Sequence, residues 1–424
     1  MTGEGLRREL GLLEVTVSGV GIILGAGIYA LLGEAAALAG NAVWLAFGIS
    51  AVMAACTGLS YAELSSMFPR AGAEYDYVRC GFGRRWAFVI GWLILATGVL
   101  STATVSLGFG GYLFGATGIP VIAGGVILVA GITVLAIRGI RETALFAIAM
   151  TLIEAAGIVF VIIIGLPHIG SVDYLVMPNG FSGVFRAAAL VFFAYMGFEE
   201  MVKLAEETRD PERTVPKAVI LALAVAVALY MLVTVSAVSV LGWEALAASP
   251  APFAEIAGAV LGEGAFTIII LVALVATANT ALLLIVAASR LAYGMAEGGS
   301  LPAPLARVHP RFGTPWIAVL TAATLSAVFL FAGGIAYVAN ATNFALFLTF
   351  MVINATVIVL RRRMPETVRP FRVPGTVAGV PFVPVLGILF SFSLLAQLDL
   401  PVIGLGLLIL AAGVVGAYIW ERKG

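Results

Sequence analysis

Two carboxylic acids stand inside apolar runs of this sequence. Glu154 lies within Thr151-Leu152-Ile153-Glu154-Ala155-Ala156-Gly157, with no Lys or Arg near it in the chain. Glu199 follows Phe192-Phe193-Ala194-Tyr195-Met196-Gly197-Phe198. Ionisable groups at membrane depth are costly and mark function by default. A carboxyl that is neutral when sealed and ionised when wetted can carry a proton, and an ionised one can ligate a cation. Glu154 is a candidate for either task; its structural alternative is an acid hydrogen-bonded to a backbone carbonyl. Its partner must come from another helix or be a proton. Glu199 has an equally concrete rival, because Glu199, Lys203 and Glu207 are spaced i, i+4, i+8, as in a salt-bridge ladder on one helix face. Thr277, Asn279 and Thr280 place hydroxyls and an amide in a third apolar run. They line a site, complete a cation site, or hydrogen-bond between helices.

Catalytic chemistry has no matching set of residues. There is no phosphate-cradling loop ending in Lys-Ser or Lys-Thr, no H-E-x-x-H, and no Ser/His/Asp arrangement, since only two His exist. His168 and His309 are expected in loops. Cys56 falls in a helical stretch and Cys80 in an expected loop, without metal-type spacing or a disulfide. The chain is therefore read as no enzyme, with no cofactor and no metal. The formal net charge is zero, so nucleic acid is not an implied partner.

The elements that must position these acids are membrane helices. Of 424 residues, 62% are hydrophobic and 11% charged, with mean hydropathy +1.11. A soluble domain carries roughly 25% charged residues. Apolar stretches long enough to cross a bilayer run near 12–36, 41–66, 85–114, 120–137, 143–166, 182–204, 215–241, 265–294, 315–333, 338–360, 379–396 and 401–420. Each must be helical, since lipid offers no partners to bare backbone. With the N-terminus inside, every Lys and Arg except Arg186 falls on the cytoplasmic side. This is the positive-inside pattern for twelve transmembrane helices with both termini cytoplasmic. Residues 1–14 read as the lead-in to the first helix. Arg186, near the start of the sixth, is expected to reach the outer surface or an external gate.

Two of these helices read as discontinuous. The first contains Gly19, Gly21, Gly25 and Gly27 within nine residues, each weakening a helix by about 1 kcal/mol relative to Ala. Close packing of small residues and an unwound turn facing a cavity are the two readings. The sixth carries Gly197 beside Glu199. Interruptions at matching places in two five-helix halves, 12–166 and 182–360, are the mark of an inverted-repeat transporter with its site at the midplane. Residues 379–420 then form two peripheral helices.

At these residues the chain resembles the amino acid–polyamine–organocation superfamily of permeases. Four ordered stretches carry the resemblance: Gly21 to Tyr29; Tyr61 to Gly72; Gly197-Phe198-Glu199 through Ala205-Glu206-Glu207, Asp210-Pro211, Arg213 and Pro216; and Ala288-Ser289-Arg290 with His309-Pro310-Arg311 and Thr314-Pro315-Trp316. The resemblance implies a leucine-transporter-like 5+5 inverted repeat with helices 1 and 6 discontinuous. Substrate would sit at the breaks, on Ile23, Leu24, Gly25, Ala26 and Gly27 of one and Phe193, Ala194, Tyr195, Gly197 and Phe198 of the other. Free N–H groups around Leu24–Gly27 would receive a carboxylate, carbonyls around Phe193–Tyr195 an ammonium, and the rings of Phe193, Tyr195 and Phe198 would cover the ligand. Some proton-coupled relatives have a lysine where Glu154 falls, so coupling here would differ from theirs. The expected function is alternating-access transport of an amino acid or related amine (a polyamine included) across the cell membrane, coupled to H+, with exchange or Na+ symport as alternatives. The expected assembly is a monomer or homodimer in the lipid bilayer.

Overall fold

The computed structural model describes residues 10–69, 73–139, 144–377 and 379–421. Arg7, Arg8, Arg70, Ala71, Gly72, Arg141, Arg422 and Lys423, covered by the reading above, lie outside the described residues. Helix occupies every expected apolar segment. In chain order the helices are α1 (Leu12–Leu24), α2 (Gly27–Ala39), α3 (Val43–Met67), α4 (Ala73–Phe82), α5 (Arg84–Thr117), α6 (Val121–Arg138), α7 (Ala144–Gly165) and α8 (Gly180–Val191). They continue with α9 (Phe198–Met201), α10 (Pro211–Ala248), α11 (Pro252–Leu261), α12 (Glu263–Glu297), α13 (Trp316–Phe329), α14 (Ile335–Arg363), α15 (Phe382–Leu395) and α16 (Leu400–Glu421). The one ladder among the described residues pairs β1 (Thr376–Val377) antiparallel with β2 (Val380–Pro381), Thr376 opposite Pro381. Among the described residues, nine stretches of at least 18 residues are apolar enough to cross a membrane. The protein is thus an all-α, multi-pass membrane protein.

Both expected interruptions are present. α1 stops at Gly25 and α2 starts at Gly27. α8 runs into a 3-10 turn over Phe192–Tyr195, then an extended Met196 and Gly197 at φ 123, before α9. Beyond Met201 the chain winds as 3-10 helix to Glu207. Gly197 is required twice over. Its φ excludes ordinary side chains, and a Cβ there would lie 2.7 Å from Ile22 Cγ2 and 2.9 Å from the Ile22 carbonyl oxygen. On the other side, a Cβ on Gly27 would lie 2.7 Å from Ala194 Cα. The two breaks therefore meet main chain to main chain.

Close packing and unwinding both occur in the first helix. Gly19 and Gly21 make room for the side chains of Met201 and Thr151, whereas Gly25 ends α1. Cys80, expected in a loop, sits on the ten-residue helix α4, exposed, and Cys56 is buried in α3; both are free thiols. Arg186 pairs with Asp399 at 2.9 Å, both side chains being about half exposed. His168 closes a 3-10 turn (Leu166–His168) rather than an open loop, and His309 lies between α12 and α13.

Candidate substrate and coupling site

The breaks are held by helices that pass beside them. Tyr230, fully buried on α10, has its hydroxyl 2.7 Å from the Ile23 carbonyl and 2.8 Å from the Ala194 carbonyl. One O–H is thus shared between the last turn of α1 and the 3-10 turn after α8. The Ala26 amide donates to Thr280 Oγ1 of α12 at 3.2 Å. These contacts take up an amide and a carbonyl that the sequence suggested would be free. Where a hollow between the breaks was expected, the main chains touch and the Tyr230 hydroxyl sits at their junction, because Gly27 and Gly197 let the backbones approach.

Of the ten break residues named from sequence, Ile23, Ala26, Gly27, Ala194 and Gly197 are brought together by these contacts. Leu24 and Gly25 end the buried turn of α1, and a Cβ on Gly25 would lie 3.1 Å from Thr280 Oγ1. The three rings diverge. Tyr195 donates to the Phe47 carbonyl at 3.1 Å and packs edge-on against Tyr230 at 5.2 Å. Phe198 turns to α3 and α14, with Tyr61 at 5.7 Å and Phe350 at 5.4 Å. Phe193 is buried, and its carbonyl accepts from the Met196 amide at 3.3 Å.

Glu154 is buried on α7. The Asn279 amide of α12 donates to its Oε1 at 3.2 Å, and the Tyr29 hydroxyl of α2 donates to its main-chain oxygen at 2.7 Å. The Tyr29 carbonyl in turn accepts from Tyr112 at 3.1 Å. Adjacent residues of α12 thus reach different partners: Asn279 the acid, Thr280 the break. Thr277 bonds within its own helix, to the Ala273 and Leu274 carbonyls at 2.7 and 3.2 Å.

Glu199 accepts from the Gly197 amide at 2.8 Å, closing the second break. The expected Glu199–Lys203–Glu207 ladder does not form. Lys203 pairs with Glu200 at 2.5 Å, because the 3-10 winding from Val202 brings neighbours three apart, not four, onto one face. Glu200, next to Glu199 in the chain, thus takes the Lys203 charge. Glu74 of α4, which is outside the spanning helices, faces this group: it is buried, its carboxylate is 3.4 Å from the Tyr61 hydroxyl, and Lys203 and Glu200 act on it electrostatically. Burial pushes the Glu74 carboxyl above its usual range, against the pull of the Lys203 charge.

A second ionic cluster ties α3 to the far end of the chain. Glu63, almost fully buried, accepts from Arg361 Nε at 2.9 Å, from Arg361 Nη2 at 2.5 Å and from the Val373 amide at 2.8 Å. Arg369 approaches Glu63 at 3.4 Å and donates to the Leu360 and Met364 carbonyls at the end of α14.

The family model for amino acid permeases matches residues 10–413. The chain belongs to that family. Members of this family are transporters, not enzymes. Among its relatives, this permease is 30% identical to the branched-chain amino acid permease BcaP of Bacillus subtilis, over 99% of this chain and 94% of that one. It is 32% identical to the methylthioribose transporter of the same organism, over 99% and 95%. The human cationic amino acid transporter 4 is 31% identical, over 84% of this permease and 60% of the human protein.

Tyr230, Tyr29, Glu63 and Glu74 escaped the sequence reading. Tyr230 is the one aromatic residue between Pro211 and Val240, in a run rich in Ala, Val and Leu; a lone phenolic ring in such a helix was the available signal.

Proposed function

We propose that this permease is a secondary transporter that moves an amino acid across the cell membrane by alternating access, with its substrate bound where the α1/α2 and α8/α9 breaks meet. The observation that carries the reading is the Tyr230 hydroxyl bridging Ile23 and Ala194: the two breaks share one donor, so a zwitterion that takes over these groups uncouples the halves. The ammonium goes to the Ile23 and Ala194 carbonyls, and the carboxylate to the Ala26 amide, displacing Thr280. No Lys or Arg lies among the break residues, and their neighbours Ile22, Phe193 and Met196 are apolar, which favours a neutral side chain. The branched-chain permease of Bacillus subtilis points the same way.

Twelve crossings fit this reading. The longest stretch, Gly27–Met67, divides at the 3-10 turn Gly40–Ala42, and the fourteen-residue helices α13 and α15 each cross as short spans. Residues 12–166 and 182–360 are the two inverted repeats, residues 379–420 the peripheral pair, and both termini are cytoplasmic. Glu154, one residue from the break through Asn279 and Thr280, holds the coupling proton; Glu199 senses the state of the second break through the Gly197 amide.

The test is uptake of labelled leucine into liposomes holding the purified protein, with and without an inward proton gradient. Accumulation that depends on the gradient is expected, and the Glu154→Gln protein should still exchange substrate but lose the gradient dependence. Equilibration without accumulation in wild type would refute coupled transport. Normal gradient dependence in Glu154→Gln would remove that acid from the mechanism. A second reading has one observation in its favour, the methylthioribose transporter at 32% identity against 30% for the branched-chain permease; competition of leucine uptake by methylthioribose decides it.

A further inference from the structure

We propose that a groove between the start of α5 and the end of α16 binds the headgroup of an anionic phospholipid. Arg84, Arg85, Trp420 and Glu421 line a hollow of about 200 Å³ there. The Arg84 guanidinium carbon sits over the Trp420 indole, 4.0 Å from its centroid, and Trp420 is itself stacked on Phe88 at 5.6 Å. This cation–π contact holds the group in place, and a guanidinium's planar fork of N–H donors suits a phosphate. Arg85 is held by Glu421, so the four lining residues retain one net positive charge. A choline headgroup offsets its own phosphate charge, whereas a glycerol headgroup does not; the excess charge selects the latter.

The level of the groove fits a headgroup. Arg84 opens α5 and Glu421 ends α16, both long apolar helices, so the hollow lies where two spans leave the hydrocarbon. Trp86, half exposed beside it, adds an indole of the kind that settles at this depth. Below the hollow, α16 turns Leu407, Leu408, Val415 and Ile419 outward, an apolar track for acyl chains. Basic pockets between helices at this level are headgroup sites on electrostatic grounds. The inference rests on α5 and α16 crossing the bilayer and not on what the permease carries.

Native mass spectrometry of the full chain in detergent tests it, titrating phosphatidylglycerol and phosphatidylcholine of identical acyl chains. Wild type should retain phosphatidylglycerol preferentially. Each charge is worth about fivefold in that preference, so Arg84→Gln/Arg85→Gln should abolish it. Glu421→Gln, which removes the competing carboxylate, should raise it about fivefold, a gain that a misfolded variant does not produce. Equal retention of the two lipids by wild type, or an unchanged preference in the double variant, overturns the proposal. So does full displacement of the lipid by excess glycerol phosphate, which would make the site one for free anions. Leucine uptake by the double variant in a neutral bilayer keeps this outcome separate from the transport reading.

Discussion

Removing the Tyr230 hydroxyl is the sharpest probe of the junction between the breaks. Tyr230→Phe keeps the ring that packs against Tyr195 and Phe47 and deletes only the atom that touches the Ile23 and Ala194 carbonyls. Interhelical hydrogen bonds in membranes average about 0.6 kcal/mol, with a ceiling near 1.7. Two carbonyls losing one shared donor should therefore weaken the packed arrangement by about 1–2 kcal/mol, or roughly five- to thirtyfold. Tyr112→Phe is the internal control, because its hydroxyl serves a single carbonyl, that of Tyr29. Thermal unfolding of the solubilised proteins should rank wild type above Tyr112→Phe and Tyr112→Phe above Tyr230→Phe. The packed arrangement is weakened but the ligand groups remain, so leucine should stabilise Tyr230→Phe more than it stabilises wild type. A Tyr230→Phe protein with wild-type stability and wild-type ligand response would refute the idea that this hydroxyl locks the breaks together.

Glu63→Gln leaves two buried guanidiniums facing an uncharged amide, and a broken buried pair costs about 3–5 kcal/mol. Arg186→Gln, at a half-exposed pair, should cost less than about 1 kcal/mol; comparable losses in thermal unfolding would contradict the burial argument. Gly197→Ala combines forbidden backbone with a Cβ 2.7 Å from Ile22, so a loss of about 2–4 kcal/mol is expected, together with loss of uptake. Wild-type uptake by Gly197→Ala would mean that the second break is not needed. Folding raises the Glu74 carboxyl above its ordinary value of 4.5, so the folded state holds a proton that the unfolded chain releases. Stability from this group is complete below pH 4.5 and declines as pH rises through the elevated titration. Glu74→Gln should flatten that decline in a pH series of thermal unfolding, and an unchanged slope would assign it elsewhere.

Local features of the fold were legible because their causes are local. Gly25 and Gly197 announced the breaks, since a glycine that weakens a membrane helix needs a reason, and the apolar runs marked where helix forms. Glu154 was visible as an unpaired acid, but its partner was not: Asn279 lies 125 residues away, and periodicity carries no such information. The Lys203 pairing was misread because ladder spacing presumes 3.6 residues per turn, and nothing in Val202-Lys203-Leu204 signals the tighter winding. Tyr230 and Glu63 were missed for a shared reason. Each gains its meaning only from carbonyls or guanidiniums delivered by other helices.

The Glu63 cluster has a consequence for how the protein is made. Arg361 follows Glu63 by 298 residues, so at about 5–20 residues per second the carboxylate waits on the order of 15–60 s for its first partner. α3 must enter the bilayer with this acid at its end still wetted, and the arrival of α14 draws it inside. Nascent chains arrested before Arg361 should therefore hold α3 more loosely than chains long enough to include it.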